Sequence, residues 1–334
     1  MKNFKISDYK LIKIDAKRND EIIDYGVKMV GAPLEWNETM GEGIKVGIID
    51  TGVCSSHPDL HRRIADGKNF TAEDIRTFED YNGHGTHVAG IVAAERNGIG
   101  VVGVAPKSDL YIAKAFDKSG KTDYNAIEKS IMWLIDRKVD VINMSFSSPN
   151  TFMRYNRLIH MANQKGITLI CAAGNDGANG KNTIGYPAKF DETIAVSAVD
   201  INKQVADFSS VGNEAEISAA GINIYSTFLD NGYAVLSGTS MATPIITGAV
   251  AILQAKGMMR YNRKLTPDEI RLLLNIYTED LSGLGKDDRY GYGLFSFGRI
   301  STGDYVDEYE ALRVLTNRIG LNTNMKELLV AMLK

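Results

Sequence analysis

The stretch Leu236-Ser237-Gly238-Thr239-Ser240-Met241-Ala242-Thr243-Pro244 is the one around which the rest of the chain is built, and it runs into Met241 to Ala255, which carries no charge, is rich in small residues and reads as an apolar helix. Tyr233 to Leu236 ahead of it reads as the end of a strand, and Gly238 permits a sharp turn, so Ser240 is expected as the first helical residue. A hydroxyl at that place is exposed beside backbone N–H groups that can receive developing negative charge. Gly-Thr-Ser before a helix is also an ordinary N-cap, and only what lies upstream separates the two readings.

Upstream, Ile44 to Ile49 is a mostly apolar run that suits a strand buried on both faces, and it ends in Asp50-Thr51-Gly52. Asn82-Gly83-His84-Gly85-Thr86-His87 begins with glycines and passes into a small-residue helix, which puts His84 at the helix's amino end. Alternation then becomes regular. Strands are expected at Leu110–Lys114, Val139–Met144, Ile167–Ala172, Thr193–Ala198 and Glu216–Ala219, with helices at Asp123–Arg137 and Phe152–Gln164 between them. Such repetition implies an α/β fold with a mainly parallel sheet and helices on both faces. Thr266-Pro267-Asp268-Glu269 is a capping box that opens a further helix.

With 334 residues and 44% hydrophobic content, the chain suits one large domain with small appendages. Residues 1–33 read as an amino-terminal extension, 34–300 as the main domain, and 301–334 as a short tail with helices at 307–315 and 325–333. A formal charge of -3, without a basic stripe, argues against nucleic acid as a partner. No apolar run is long enough to span a bilayer, and the mixed charge after Met1 is not that of a secretory signal. Cys54 and Cys171 have no framework spacing, which suits a reducing, cytoplasmic setting. The residues leave homo-oligomer formation open.

Asp50, His84 and Ser240 occur in the order acid, base, nucleophile. Such a triad lets a serine attack a carbonyl carbon while histidine carries the proton and aspartate holds the imidazole. Asn175, after the Ile167–Ala172 run, can join the Ser240 N–H in an oxyanion hole.

These segments, with Ser56-His57-Pro58-Asp59-Leu60, Ala172-Ala173-Gly174-Asn175 and Gly185-Tyr186-Pro187-Ala188, resemble the subtilisin-like serine proteases (subtilases, peptidase S8), in the style of the intracellular subtilisins. The resemblance covers roughly Gly31 to Phe297 and implies a three-layer subtilisin-like fold and a serine endopeptidase that works through an acyl-enzyme. It also implies a peptide cleft walled by Gly120-Lys121-Thr122 and Ser145-Phe146-Ser147. The primary specificity pocket would be lined by Ala172, Ala173, Gly174 and Gly185, with Asp176 near its rim. Thr122, Ser147 and Ser148 stand where the family commonly has glycine, and their side chains are expected to narrow the cleft. The extension is expected to lie across the active site as an inhibitory propeptide, with Lys10-Leu11-Ile12-Lys13-Ile14 as its strand and Lys13 near the usual place of a proline. No cofactor is needed for the chemistry. A structural calcium ion is implied at Asn97, Ile99 and Val101, with Cys54 taken to stand in place of the relatives' carboxylate.

Two other readings compete on residues alone. His84, His87 and Asp50 could hold a metal for a hydrolase, although the Glu of His-Glu-x-x-His is missing. A non-catalytic peptide-binding protein on the same fold is the other.

Overall fold

The computed structural model describes residues 4–6, 9–15, 19–72, 74–151, 153–282 and 285–298. The tail helices expected at 307–315 and 325–333 lie outside the described residues.

The main sheet has its strands in the order Thr278–Glu279, Leu294–Phe295, Ala215–Ala220, Thr193–Val199, Thr168–Ala172, Val141–Met144, Lys45–Asp50, Asp109–Lys114 and Ile64–Asn69. Every neighbouring pair is parallel except the first, which is antiparallel and closes one edge. Successive strand residues feed opposite faces, as the pleat requires. Val46, Ile48 and Ile170 join an apolar cluster with the His84–Ala93, Thr239–Tyr261 and Pro267–Ile276 helices. Ile49, Ile142 and Leu169 join a second cluster with the Tyr124–Asp136 and Met153–Gln164 helices. The result is the expected three-layer α/β arrangement.

Lys45–Asp50 sits in the interior of the sheet. From it the chain first builds outward through Ile64–Asn69 and Asp109–Lys114, then adds Val141–Met144 and later strands on the other side. That reversal opens a crevice at the carboxyl ends of Lys45–Asp50 and Val141–Met144, where open α/β sheets place ligands.

The Thr239–Tyr261 helix is buried from Thr239 through Gly257, so its apolar composition is accounted for. It begins one residue before Ser240, because Asn175 Oδ1 accepts the Thr239 N–H at 3.0 Å and serves as an external cap. Pro244 has no N–H for the Ser240 carbonyl four residues back. The Ser145 hydroxyl donates to that carbonyl at 3.0 Å instead, tying the helix to the sheet beside the nucleophile candidate.

Ile64–Asn69 and Ile224–Thr227 were not foreseen. The first is an edge strand with the polar sequence Ile-Ala-Asp-Gly-Lys-Asn and carries no periodic signal. The second pairs antiparallel with Tyr233–Ser237, which on its other side pairs with Lys10–Asp15 of the extension.

Candidate active site

Asp50 ends its strand fully buried, and its Oδ1 lies 2.8 Å from His84 Nδ1. The same oxygen accepts the Thr51 N–H at 2.7 Å. Bringing a strand end this close to a helix start demands an absent side chain: a Cβ on Gly85 would stand 2.2 Å from the Gly52 carbonyl oxygen. Asp80 sets where the helix begins. Its carboxylate accepts the N–H groups of Asn82, Gly83 and Thr86 and the Thr86 hydroxyl, at 2.7 to 3.0 Å. Sequence reading passed over Asp80, although an acid just ahead of a helix start is a capping signal.

Asn175 follows the Thr168–Ala172 strand and its Oδ1 also accepts the Thr239 hydroxyl at 2.8 Å. With the oxygen so engaged, Nδ2 points toward the Gly238–Ser240 turn, 3.2 Å from where a Gly238 Cβ would be. Ser240 Oγ donates to the Ser145 carbonyl at 2.9 Å. His84 Nε2 is buried and has no hydrogen-bond partner among the described residues. The serine hydroxyl is thus turned away from the imidazole, and the Tyr9 ring lies over His84 with centroids 5.1 Å apart. The Tyr9 hydroxyl donates to Asn82 Oδ1 at 3.2 Å, and burial, with Asp80 and Asp50 adding to it, pushes its pKa up to about 12.

His87 does not join this group. Its Nε2 faces the carbonyls of Ile224 and Ala234, both at 3.1 Å, and burial drives its pKa down to about 3. A neutral ring donating to the small antiparallel sheet holds helix to sheet. No cluster of three or more His, Cys, Asp or Glu side chains suited to a metal occurs among the described residues.

The expected cleft walls are differently furnished from the sequence reading. Phe4–Lys5 pairs antiparallel with Lys121–Thr122, and the Ile6 N–H donates to the Gly120 carbonyl at 3.0 Å. The segment running along that wall is therefore residues 4–6, while Lys10–Asp15 lies on Tyr233–Ser237. The Thr122 hydroxyl is folded back onto the Ala115 carbonyl at 2.5 Å. Phe146 is fully buried against Phe116 beneath the wall, so only its backbone can face a ligand. Ala172 and Ala173 are buried, and Ser147 stands close to both Gly174 and Gly185. A cavity of about 530 Å³ extends from Asn175 past Ser147 and Gly185 to Lys189.

At the loop carrying Asn97, Ile99 and Val101, the carboxylate present is Asp59, correcting the assignment to Cys54. Asp59 Oδ1 accepts from Asn97 Nδ2 at 3.1 Å, and Oδ2 accepts the Val101 N–H and the Tyr233 hydroxyl, both at 3.0 Å. Glu21 Oε1 accepts the Gly98 N–H at 2.7 Å. Cys54 Sγ instead lies 3.6 Å from Asn231 Oδ1. No helix among the described residues is long and apolar enough to cross a membrane.

An α/β sheet with these groups at its switch point has the build of a serine endopeptidase. Residues 41–293 match the subtilase family model, and the chain belongs to that family. It is 42% identical over 270 residues to an intracellular serine protease of Paenibacillus polymyxa, covering 79% of this chain and 82% of that one. Identity is 42% over 279 residues to subtilisin DY of Bacillus licheniformis, covering 83% and 97%. A thermostable alkaline protease of Halalkalibacterium halodurans is 41% identical over 280 residues, covering 84% and 73%. The protein is a subtilisin-type serine protease.

Replacing Asp80 by alanine strips four donors at the start of the His84 helix of their shared acceptor. The expected cost is about 2 to 4 kcal/mol of folding stability. Urea denaturation checks it, and an unchanged midpoint would mean that Asp80 does not set the helix start.

Proposed function

We propose that Asp50, His84 and Ser240 form the catalytic triad, and that Asn175 with the Ser240 N–H forms the oxyanion hole. The observation that carries this reading is the buried 2.8 Å Asp50–His84 contact beside the start of the Ser240 helix. Ser240 Oγ, swung from the Ser145 carbonyl to His84 Nε2, gives up its proton as it attacks the substrate carbonyl carbon. The developing oxyanion takes hydrogen bonds from Asn175 Nδ2 and the Ser240 N–H. His84 returns the proton to the leaving amine, and water then releases the acyl group by the same steps. The Gly120–Thr122 and Ser145–Ser147 strands hold the peptide by main-chain hydrogen bonds, with Ala172, Ala173, Gly174 and Gly185 around its first specificity pocket.

Residues 1–33 act as an inhibitory extension to a catalytic domain of residues 34–300. Support comes from the pairing of residues 4–6 with the cleft wall, the Tyr9 ring over His84, and the pairing of Lys10–Asp15 with the strand leading to Ser240. Each blocks a surface that substrate or a reacting group needs. Ser240 turned onto the Ser145 carbonyl fits the same resting state. Cytoplasmic action on peptides or proteins is supported by the printed name of the Paenibacillus relative and by the two unpaired cysteines.

A structural calcium ion fits the loop by donor chemistry. Asp59, Glu21 and the Ile99 and Val101 carbonyls would supply hard oxygen ligands of the kind such an ion takes, and Asn97, whose Nδ2 now donates to Asp59 while its Oδ1 accepts the Ile99 N–H, would have to turn its amide over to join them. Its role would be to brace the loop against Glu21–Ile22, which pairs with Gly100–Val101.

Ser240→Ala should abolish peptide hydrolysis, a loss on the order of 10⁶ in kcat, while leaving the circular dichroism spectrum unchanged. Asn175→Ala should lose about 10² to 10³ in kcat. Both magnitudes are those already known within this family, and a rate near wild type for either variant refutes its assigned role. Deleting residues 1–17 should raise the initial hydrolysis rate without a lag, and an unchanged rate counts against inhibition. Under a calcium chelator the thermal midpoint should drop and return when calcium is restored; a midpoint indifferent to both removes the ion from the account.

A further inference from the structure

Three residues place a hydroxyl where the family commonly has glycine, and their surroundings differ. Thr122 donates to the Ala115 carbonyl, and Ser148 Oγ accepts the Asn150 N–H at 3.2 Å. Ser147 Oγ has no hydrogen-bond partner among the described residues. It stands in the slot between two glycines: a Cβ on Gly185 would meet it at 2.3 Å and one on Gly174 at 3.2 Å. The slot is rigid on both sides, since Ser148 and Tyr186 exchange backbone hydrogen bonds at 2.7 and 2.8 Å and Gly185 N–H reaches the Ala173 carbonyl at 3.4 Å. Ser147 lines a cavity of about 530 Å³ whose walls mix polar groups, among them Asp176, Asn182 and Lys189, with apolar ones from Ile6, Pro149 and Ile184.

We propose that Ser147 is a specificity-determining residue, which turns the first specificity pocket toward slim, hydrogen-bonding side chains of the asparagine and glutamine type and away from aromatic ones. The inference rests on the proteolytic reading of the site above, in which the residue whose carbonyl meets Ser240 and Asn175 sends its side chain into this cavity. A hydroxyl in the slot takes the width that a flat ring would need, and the rigid backbone on either side cannot yield it. That same hydroxyl, with no protein partner, can donate to an amide oxygen or accept from an amide nitrogen. A substrate amide can then also meet donors and acceptors such as Asp176, Asn182 and Lys189 along the cavity, partners that a phenyl ring cannot use.

The test compares kcat/KM of the full-length protein, after any self-processing is complete, on peptides that differ only in carrying Asn, Gln, Leu or Phe before the scissile bond. Wild type should favour Asn and Gln over Phe. Ser147→Gly should raise the Phe to Gln ratio by about tenfold or more, because it reopens the slot and deletes the hydrogen bond. Ser147→Ala separates the two contributions: Phe should stay poor while Gln falls by about three to tenfold, the worth of one neutral hydrogen bond. Wild type that prefers Phe, with a ratio unmoved by Ser147→Gly, overturns the inference and leaves the protease reading standing. No cleavage of any peptide and no labelling by a serine-directed fluorophosphonate would bring down both.

Discussion

Everything at the crevice depends on a carboxylate and an imidazole brought together out of reach of bulk solvent. Asp50 and His84 are essentially inaccessible to solvent, and a buried carboxylate is costly unless donors surround it. The Thr51 N–H and His84 supply two such donors to the same oxygen. In the adjacent strand, Lys114 pairs in register with Asp50, is itself fully buried, and donates its ammonium to the Thr51 carbonyl at 2.7 Å. The pair can exist only because a strand end and a helix start touch through Gly52 and Gly85, and because Asp80 fixes the turn at which that helix begins.

The second half of the site is held by the long helix, and here a missing donor is put to use. Pro244 frees the Ser240 carbonyl from the helical ladder, and Ser145 takes the vacancy. Ser145 in turn accepts from Asn143 Nδ2 at 2.9 Å, while Asn143 Oδ1 accepts the hydroxyl of Thr247, about two turns beyond Ser240 along the helix. Strand and helix are thus stitched at two levels next to Ser240. Lateral slip of the helix would have to break buried hydrogen bonds at both.

Much of this could be read from residues. Long apolar strands and the uncharged Met241–Ala255 stretch of the long helix announced themselves because burial on all sides leaves no alternation to misread, and the Thr266 capping box was found with both of its bonds in place. The residues that were passed over work through shape or through partners distant in sequence. Asp80 serves a helix whose own first residues drew the attention. Asp59 meets its loop across some forty residues, which no local pattern displays. Ile64–Asn69, polar and at an edge, has only its neighbour Asp109–Lys114 to make it a strand. For the extension, the reading favoured the most apolar stretch, Lys10–Ile14, yet the backbone paired with Gly120–Thr122 belongs to residues 4–6. Apolar alternation marks a strand and not the surface it will pair with.

Thr122, Ser147 and Ser148 show why composition alone does not fix the shape of a pocket. Each adds a side chain where the family commonly has none, so each was expected to narrow the cleft. What a hydroxyl does there depends on whether the backbone offers it a partner within reach. Thr122 has the Ala115 carbonyl behind it and turns inward; Ser148 is engaged by Asn150 in its own turn. Ser147 has neither, and the glycines on both sides leave its hydroxyl the slot itself. A hydroxyl in a pocket wall with no protein partner is open to a bound side chain, and this ties selectivity to the hydrogen-bonding capacity of the substrate as well as to its size.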